Sequence, residues 1–295
     1  MYRLVKNILS VILSKLFLIS LVVLCGCTSG ECIVSVNEKI QGILNHVSGS
    51  DVAVLMIGGS GPVDVDYTVN GIGIYAEMAD FFSEHQISSL RLEKRGNADT
   101  IQQEYLEDVV WALKYLNDRY DQVFLLAHSL GAHVAPVFEQ WVDGLILLGG
   151  FVSEVEEIYA SQLKQNASYD QIQVIEDELA VILNLCKDTG FSWFGIRESW
   201  WISLDRLHLK SRLKGLNCPV LVVFSECDER VGLDEFELYQ LYLSQHENAE
   251  FRLIENVNHF FMNPMSEQLD ESVVKEIASW ILNQSSVIIK ARCCE

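Results

Sequence analysis

Apolar residues along the chain fall into two repeating arrangements. Continuous runs at residues 51–57, 123–127, 143–150 and 218–225 read as strands buried on both faces of a parallel sheet. Residues 87–92 and 250–255 fit two further strands. Between these runs the apolar positions take helical spacing. Residues 74–85 read as an amphipathic helix, and Ile101, Tyr105, Val109, Leu113 and Leu116 mark another over 101–119. Helices are expected again over 234–246 and about 266–283. This alternation predicts the α/β class, a mostly parallel sheet flanked by helices. It stops over 151–215, which is helix-periodic with no convincing strand. That stretch is expected to be a helical cap inserted between two parts of one core, 51–150 and 216–283. Residues 27–50 read as a connection with one possible edge strand at 32–36, and 284–295 as a tail.

The run at 123–127 ends in His128, Ser129, Leu130 and Gly131, after which an apolar helix is expected to about Gln140. A strand, a serine and a helix in this order fit a nucleophile elbow, G-x-S-x-G, with Ala127 in the first glycine's place. Strand and helix backbones nearly touch at such a turn, so the residues two before and two after the serine must be small. Ala127 and Gly131 meet that need. The turn would hold the Ser129 hydroxyl at the carboxyl end of the sheet, with the Leu130 N–H directed where an oxyanion forms. The plainer reading is a tight turn with Ser129 as helix N-cap.

Composition narrows the setting. The chain has 295 residues, 49% of them apolar, which suits one large α/β domain with an insertion. A formal charge of −20 makes nucleic acid an unsuitable partner. Residues 1–26 read as a targeting signal: Arg3, Lys6 and Lys15 precede a short apolar core at 16–24. The segment around Leu24, Cys25, Gly26 and Cys27 resembles the lipobox of bacterial lipoprotein signals, which implies lipidation of Cys27 and an exported, membrane-anchored protein. An ordinary signal peptide or an uncleaved signal-anchor stay open as alternatives. The other cysteines (Cys32, Cys186, Cys218, Cys227, Cys293 and Cys294) show no metal-ligand spacing, and their pairing is not legible. No metal or cofactor is expected.

Two loops carry groups that could serve Ser129. Asp228 follows the 218–225 strand, and His259 follows the last strand. A serine hydroxyl needs a base to take its proton, and a neutral histidine can do so. A carboxylate would fix the imidazole tautomer. Glu226 and Glu229 are rival acids, less well placed in their loop. His128 and His133 are assigned to packing. Asp64 and Asp66 could suggest a metal, but local hydrogen bonds to the loop backbone explain them better. Trp193, Trp200 and Trp201, with Phe194, either line an acyl pocket or fasten the cap.

The order Ser129, Asp228, His259, each after a different strand, resembles the α/β-hydrolase superfamily over about residues 50–283. A closer likeness is to secreted bacterial carboxylesterase-like serine hydrolases. It is carried by residues 59–62, 91–96 and 200–204, by Cys218, Pro219, Asp228 and Val231, and by 258–261. The resemblance implies an acyl-enzyme on Ser129, with Asp228 and His259 as acid and base and no cofactor. It also makes the 58–62 loop the source of a second oxyanion N–H, from Ser60 with Gly59 as its neighbour. Departures are Ala127 for glycine, Gly58 for histidine and Glu93 for aspartate. A small-molecule acyl ester is the expected substrate. Amide and thioester substrates, and a non-catalytic binding protein of the same fold, remain alternatives.

Overall fold

The computed structural model describes residues 29–36, 40–96, 98–184, 190, 192–193 and 195–292. Eight strands form one sheet: β1 (Gly30–Ser35), β2 (Gln41–His46), β3 (Val52–Ile57), β4 (Ser88–Leu92), β5 (Gln122–His128), β6 (Gly144–Leu148), β7 (Val220–Ser225) and β8 (Ala249–Ile254). Their order is β1-β2-β4-β3-β5-β6-β7-β8, with β2 antiparallel to both its neighbours and every other pair parallel. The expected class, a mostly parallel sheet flanked by helices, is the one observed. The stretch taken as a connection holds two strands rather than one. β2 escapes notice because Gln41, Asn45 and His46 interrupt its apolar residues, although pairing with β4 buries Asn45.

Alternate residues of the central strands face two cores. Ala53, Leu55 and Ile57 of β3 and Val123, Leu125 and Ala127 of β5 point into one. Val52, Val54, Met56, Phe124 and Leu126 point into the other. The second is covered by α1 (Ile74–Glu84) and by α9 (Glu271–Arg292). The first is covered by α2 (Glu107–Asn117), α3 (Leu130–Val134) with the 3₁₀ turn after it, α8 (Leu233–Tyr242) and the cap. Burial of a side chain such as Leu125 or Phe124 contributes about 2 kcal/mol, so the central strands anchor the platform on which the loops sit.

Three boundaries differ from expectation. The helix after Ser129 stays α-helical only to Val134, because Pro136 lacks an N–H, and continues as 3₁₀ over Ala135–Trp141. The last helix begins at Glu271 rather than 266, since Met262–Asn263 pairs with Gln268–Leu269 in a small hairpin, and it absorbs most of the expected tail. The cap is helical as read, with α4 (Val155–Lys164), α5 (Tyr169–Ile182), α6 (Glu198–Asp205) and α7 (Leu209–Gly215), plus a two-residue hairpin at Ser192–Trp193 and Ile196–Arg197. Its apolar side joins the first core through Val155, Ala160, Ile175 and Leu213.

No helix among the described residues is long and apolar enough to cross a membrane. The targeting segment and Cys27 lie outside the described residues, as do Phe194, Cys186, Cys293 and Cys294. Cys32, Cys218 and Cys227 are not in disulfides.

Glu156 sits at the junction of cap and core, and burial pushes its carboxyl up to about 7, aided by Glu154, Asp205 and Glu157. The folded state therefore holds this proton at pH values where the unfolded chain, near 4.5, has released it. Stability falls as pH rises between those values and the penalty stays above them. Glu156→Gln should stabilise the protein at pH 8 by on the order of 2 kcal/mol and have little effect at pH 4.5, read as urea midpoints. An equal effect at both pH values would show that the gain has another source.

Candidate active site

In-register pairing of the parallel strands aligns their carboxyl ends on one edge of the sheet. Open α/β sheets place their sites there because the loops leaving several strands converge. Five such loops meet here, carrying Gly58–Ser60 after β3, Ser129 after β5, Gly149 after β6, Asp228 after β7 and His259 after β8.

Ser129 has φ 54° and ψ −121°, a left-handed conformation that a serine adopts at a cost of about 1–3 kcal/mol. Its surroundings hold it there. The Ser129 N–H donates to the Leu148 carbonyl at 2.9 Å, and its own carbonyl accepts from His133 N–H at 3.1 Å. The need for small neighbours is met as expected. A Cβ on Gly131 would lie 2.6 Å from the Gly58 carbonyl oxygen, and one on Gly59 would lie 2.8 Å from Ser129 Cβ. The loop after β3 can approach the elbow only because both positions are glycine.

Ser129 Oγ lies 3.2 Å from His259 Nε2, and His259 Nδ1 lies 2.6 Å from Asp228 Oδ2. The Asp228 carboxylate cannot donate, so the imidazole proton sits on Nδ1 and Nε2 is free to accept from the serine. Asp228 is itself fixed: its Oδ1 accepts from the Arg230 and Val231 N–H groups, both at 2.8 Å. Both side chains of this hydrogen-bonded pair are almost wholly buried, Asp228 at 1% and His259 at 3% exposure. Gly149, at φ 50°, passes directly beneath them, 3.4 Å from each partner when a Cβ is placed on it. Of the rival acids, Glu229 reaches the His259 backbone N–H at 3.5 Å but not its ring and otherwise pairs with Arg230 at 3.9 Å, and Glu226 is exposed.

His128 does more than pack. Its Nε2 faces the His259 carbonyl at 2.9 Å, so it carries a proton, and its Nδ1 accepts from the Tyr67 hydroxyl at 2.7 Å. Burial and the neighbouring His259 hold its pKa well below the ordinary value, so the ring is neutral. Tyr67 in turn accepts from the Gly59 N–H at 3.4 Å. A single chain of donors thus ties the loop after β3 to the loop that carries His259. His133 fills the packing role expected of it, with Nδ1 3.0 Å from the Phe151 carbonyl and its ring stacked on Phe151.

The Gly59 N–H is directed to Tyr67, whereas no hydrogen bond takes up the Ser60 N–H among the described residues. The Leu130 N–H, first in α3, has no intrahelical acceptor. A cavity of about 180 Å³ opens over these groups, walled by Ser60, Tyr67, Ser129, Gln162, Arg230 and His259. Gln162 belongs to cap helix α4 and donates to the Arg230 carbonyl at 3.2 Å, while Gln165 donates to that of Glu229 at 2.7 Å. The cap thereby grips the loop that carries Asp228.

The three tryptophans lie elsewhere. Trp193, Trp200 and Trp201 are buried in the cap, where Trp201 meets Trp200 edge-to-face and Trp193 at a tilt, and they do not line this cavity. Of the two readings open to them, fastening the cap fits their position. Asp64 organises its own loop through bonds from Asp66 N–H, Thr68 N–H and the Thr68 hydroxyl, and Asp66 pairs with Arg91 at 3.2 Å. Among the described residues no cluster of His, Cys, Asp and Glu could hold a metal ion. Sequence reading missed Tyr67, Gln162 and Arg230, which sit in loops or on a helix with no motif to mark them.

No family model matches the chain. A curated relative, Esterase EstD of Thermotoga maritima, is 28% identical over 259 residues, 80% of this chain. The chain spans 63% of that relative's length. Among solved structures, Est1E from Butyrivibrio proteoclasticus is similar with a TM-score of 0.62 at 17% identity, covering 88% of this chain and all of that one. The monoacylglycerol lipase of Paleococcus ferrophilus follows with 0.58 at 12% identity, covering 83% and 99%. The strand order, the left-handed serine after β5 and these likenesses together give the chain the α/β-hydrolase fold.

Proposed function

We propose that the protein is a serine hydrolase that cleaves carboxylic esters through an acyl-enzyme on Ser129. The observation that carries this reading is the unbroken path from Ser129 Oγ to His259 Nε2 and from His259 Nδ1 to Asp228. The sequence likeness to an esterase favours an ester over other acyl compounds.

In this mechanism His259 Nε2 takes the Ser129 proton as Oγ attacks the ester carbonyl. The imidazolium so formed is stabilised by Asp228, whose Oδ1 is held in place by two backbone N–H groups. The carbonyl oxygen becomes an oxyanion, held by the Ser60 and Leu130 N–H groups. His259 then delivers its proton to the leaving alcohol. Water enters, loses a proton to Nε2 and attacks the acyl carbon, which releases the carboxylic acid and restores Ser129. Every step uses groups of this chain.

The cavity is small for an acyl pocket, at about 180 Å³. Acetyl and butyryl p-nitrophenyl esters should therefore be hydrolysed faster than the decanoyl ester, with kcat/KM of about 10⁴ M⁻¹ s⁻¹ or more for the best of them. Release of p-nitrophenol measures this, and a folded protein that releases none above buffer would contradict the reading.

The lipobox-like segment supports anchorage to a bacterial cell envelope through Cys27, as part of the same proposal. Intact mass of the protein purified from membranes should correspond to a chain that begins at diacylated Cys27. A soluble chain that retains residues 1–26 would contradict it.

A further inference from the structure

A buried polar cluster contacts the carbonyls of the Gly58–Ser60 loop, and none of its members lines the cavity. The Lys94 ammonium, 6% exposed, donates to the Gly59 carbonyl and sits 2.8 Å from Glu104 Oε1 and 3.0 Å from the Tyr105 hydroxyl. Tyr105 donates to the same Gly59 carbonyl at 2.7 Å and approaches that of Gly58 at 3.0 Å. The second oxygen of Glu104 accepts from the indole N–H of Trp200, on cap helix α6. The hydroxyl of Tyr159, from cap helix α4, meets the Ser60 side chain.

Filling space does not account for this cluster. Taking a lysine and a glutamate out of water costs several kcal/mol per ion, and apolar residues of equal volume often serve stability as well or better. Burial accordingly draws the Lys94 pKa down, with Glu104 opposing it. What the cluster does achieve is to hold one carbonyl from two directions.

That carbonyl belongs to the peptide unit whose N–H is Ser60's. Among the described residues every peptide bond is trans, so the Gly59 carbonyl and the Ser60 N–H point in opposite directions. Drawing the carbonyl back toward Lys94 and Tyr105 turns the N–H forward, toward the cavity that Ser60 lines with Ser129. A cation on the carbonyl also polarises the amide and makes its N–H a better donor.

We propose that Lys94 and Tyr105 are positioning residues that aim and polarise the Ser60 N–H as an oxyanion donor, and that Glu104 links them to Trp200 of the cap. The cap then acts on the reacting centre through the oxyanion loop, although its tryptophans stay out of the cavity. The inference rests on the ester-hydrolase reading above.

Lys94→Met and Tyr105→Phe test it, with a short-chain p-nitrophenyl ester as substrate and an alkylboronic acid as inhibitor. The boronate forms a tetrahedral adduct with the serine and places an oxygen where the oxyanion would sit. Loss of a whole oxyanion donor costs about 10²–10³ in kcat, so a misdirected donor should cost about 30-fold in Lys94→Met and about tenfold in Tyr105→Phe. KM should stay within about threefold, and boronate affinity should fall in step with kcat/KM. A purely structural role would lower the melting temperature without that parallel. Should Lys94→Met fail to fold, Tyr105→Phe, which removes one oxygen atom, decides the matter. The proposal is overturned if folded Tyr105→Phe keeps kcat within about twofold and binds the boronate as wild type does, or if its loss lies wholly in KM. Wild-type protein that hydrolyses no ester would instead overturn the reading on which the proposal rests.

Discussion

Ser129→Ala is expected to lower kcat for ester hydrolysis by about 10⁵-fold while the protein folds as before. The large effect follows from removal of the atom that lies within reach of His259 Nε2 and is placed to attack the carbonyl. The small structural effect follows from the backbone. The left-handed conformation at position 129 is held by the bonds of its own N–H and carbonyl to Leu148 and His133, neither of which involves the hydroxyl. Alanine bears the same strain there as serine, so the melting temperature should hardly move. Any residual hydrolysis would come from water activated by His259 beside intact oxyanion donors, which is why the predicted loss is finite. Turnover of a p-nitrophenyl ester, with thermal denaturation as the fold control, measures both halves. Retention of more than about a hundredth of wild-type activity would mean that another group is the nucleophile.

Asp228→Asn should lower kcat by about 10³–10⁴-fold through a change of tautomer. The Arg230 and Val231 N–H groups select an acceptor at the Oδ1 position, so the asparagine oxygen will take that place. Its amide nitrogen must then occupy the Oδ2 position, 2.6 Å from His259 Nδ1. Two donors cannot face each other, and the imidazole proton moves to Nε2. There it points at Ser129 Oγ and cannot receive the serine's proton. Loss of the buried charge opposite the imidazolium adds to the effect. The measurement is kcat across pH, together with a melt to show that the loop is kept. Near-normal kcat in this variant would show that Asp228 does not set the tautomer, and Glu229 would become the acid to examine.

The sequence discloses most where a position tolerates few residue types. The elbow was legible because strand, serine and small neighbours must coincide there, and the structure adds the reason: a Cβ on Gly131 would strike the Gly58 carbonyl. Asp228 could be preferred over Glu226 and Glu229 by position alone, and its short side chain is what lets Oδ1 reach the backbone of its own turn. β2 was missed since its mixture of polar and apolar residues becomes strand-like only when β1 and β4 pair with it. The tryptophans could be lining or structural, because an aromatic residue at helical spacing does not reveal which way its ring faces in the folded cap. Tyr67 and His128 belong to the same difficulty. Their hydrogen-bonded chain joins residues 61 and 131 positions apart, and no local pattern announces it.

Ser129 as an activated nucleophile is the central claim, and a fluorophosphonate probe tests it most directly. Such a probe reacts with a serine whose proton is drawn off by a base, while the probe's own phosphoryl oxygen enters the oxyanion hole. Peptide mass spectrometry of the labelled wild-type protein should find one adduct, on Ser129, and none in Ser129→Ala. An adduct on another residue, or a folded wild-type protein that takes up no probe, would contradict the account.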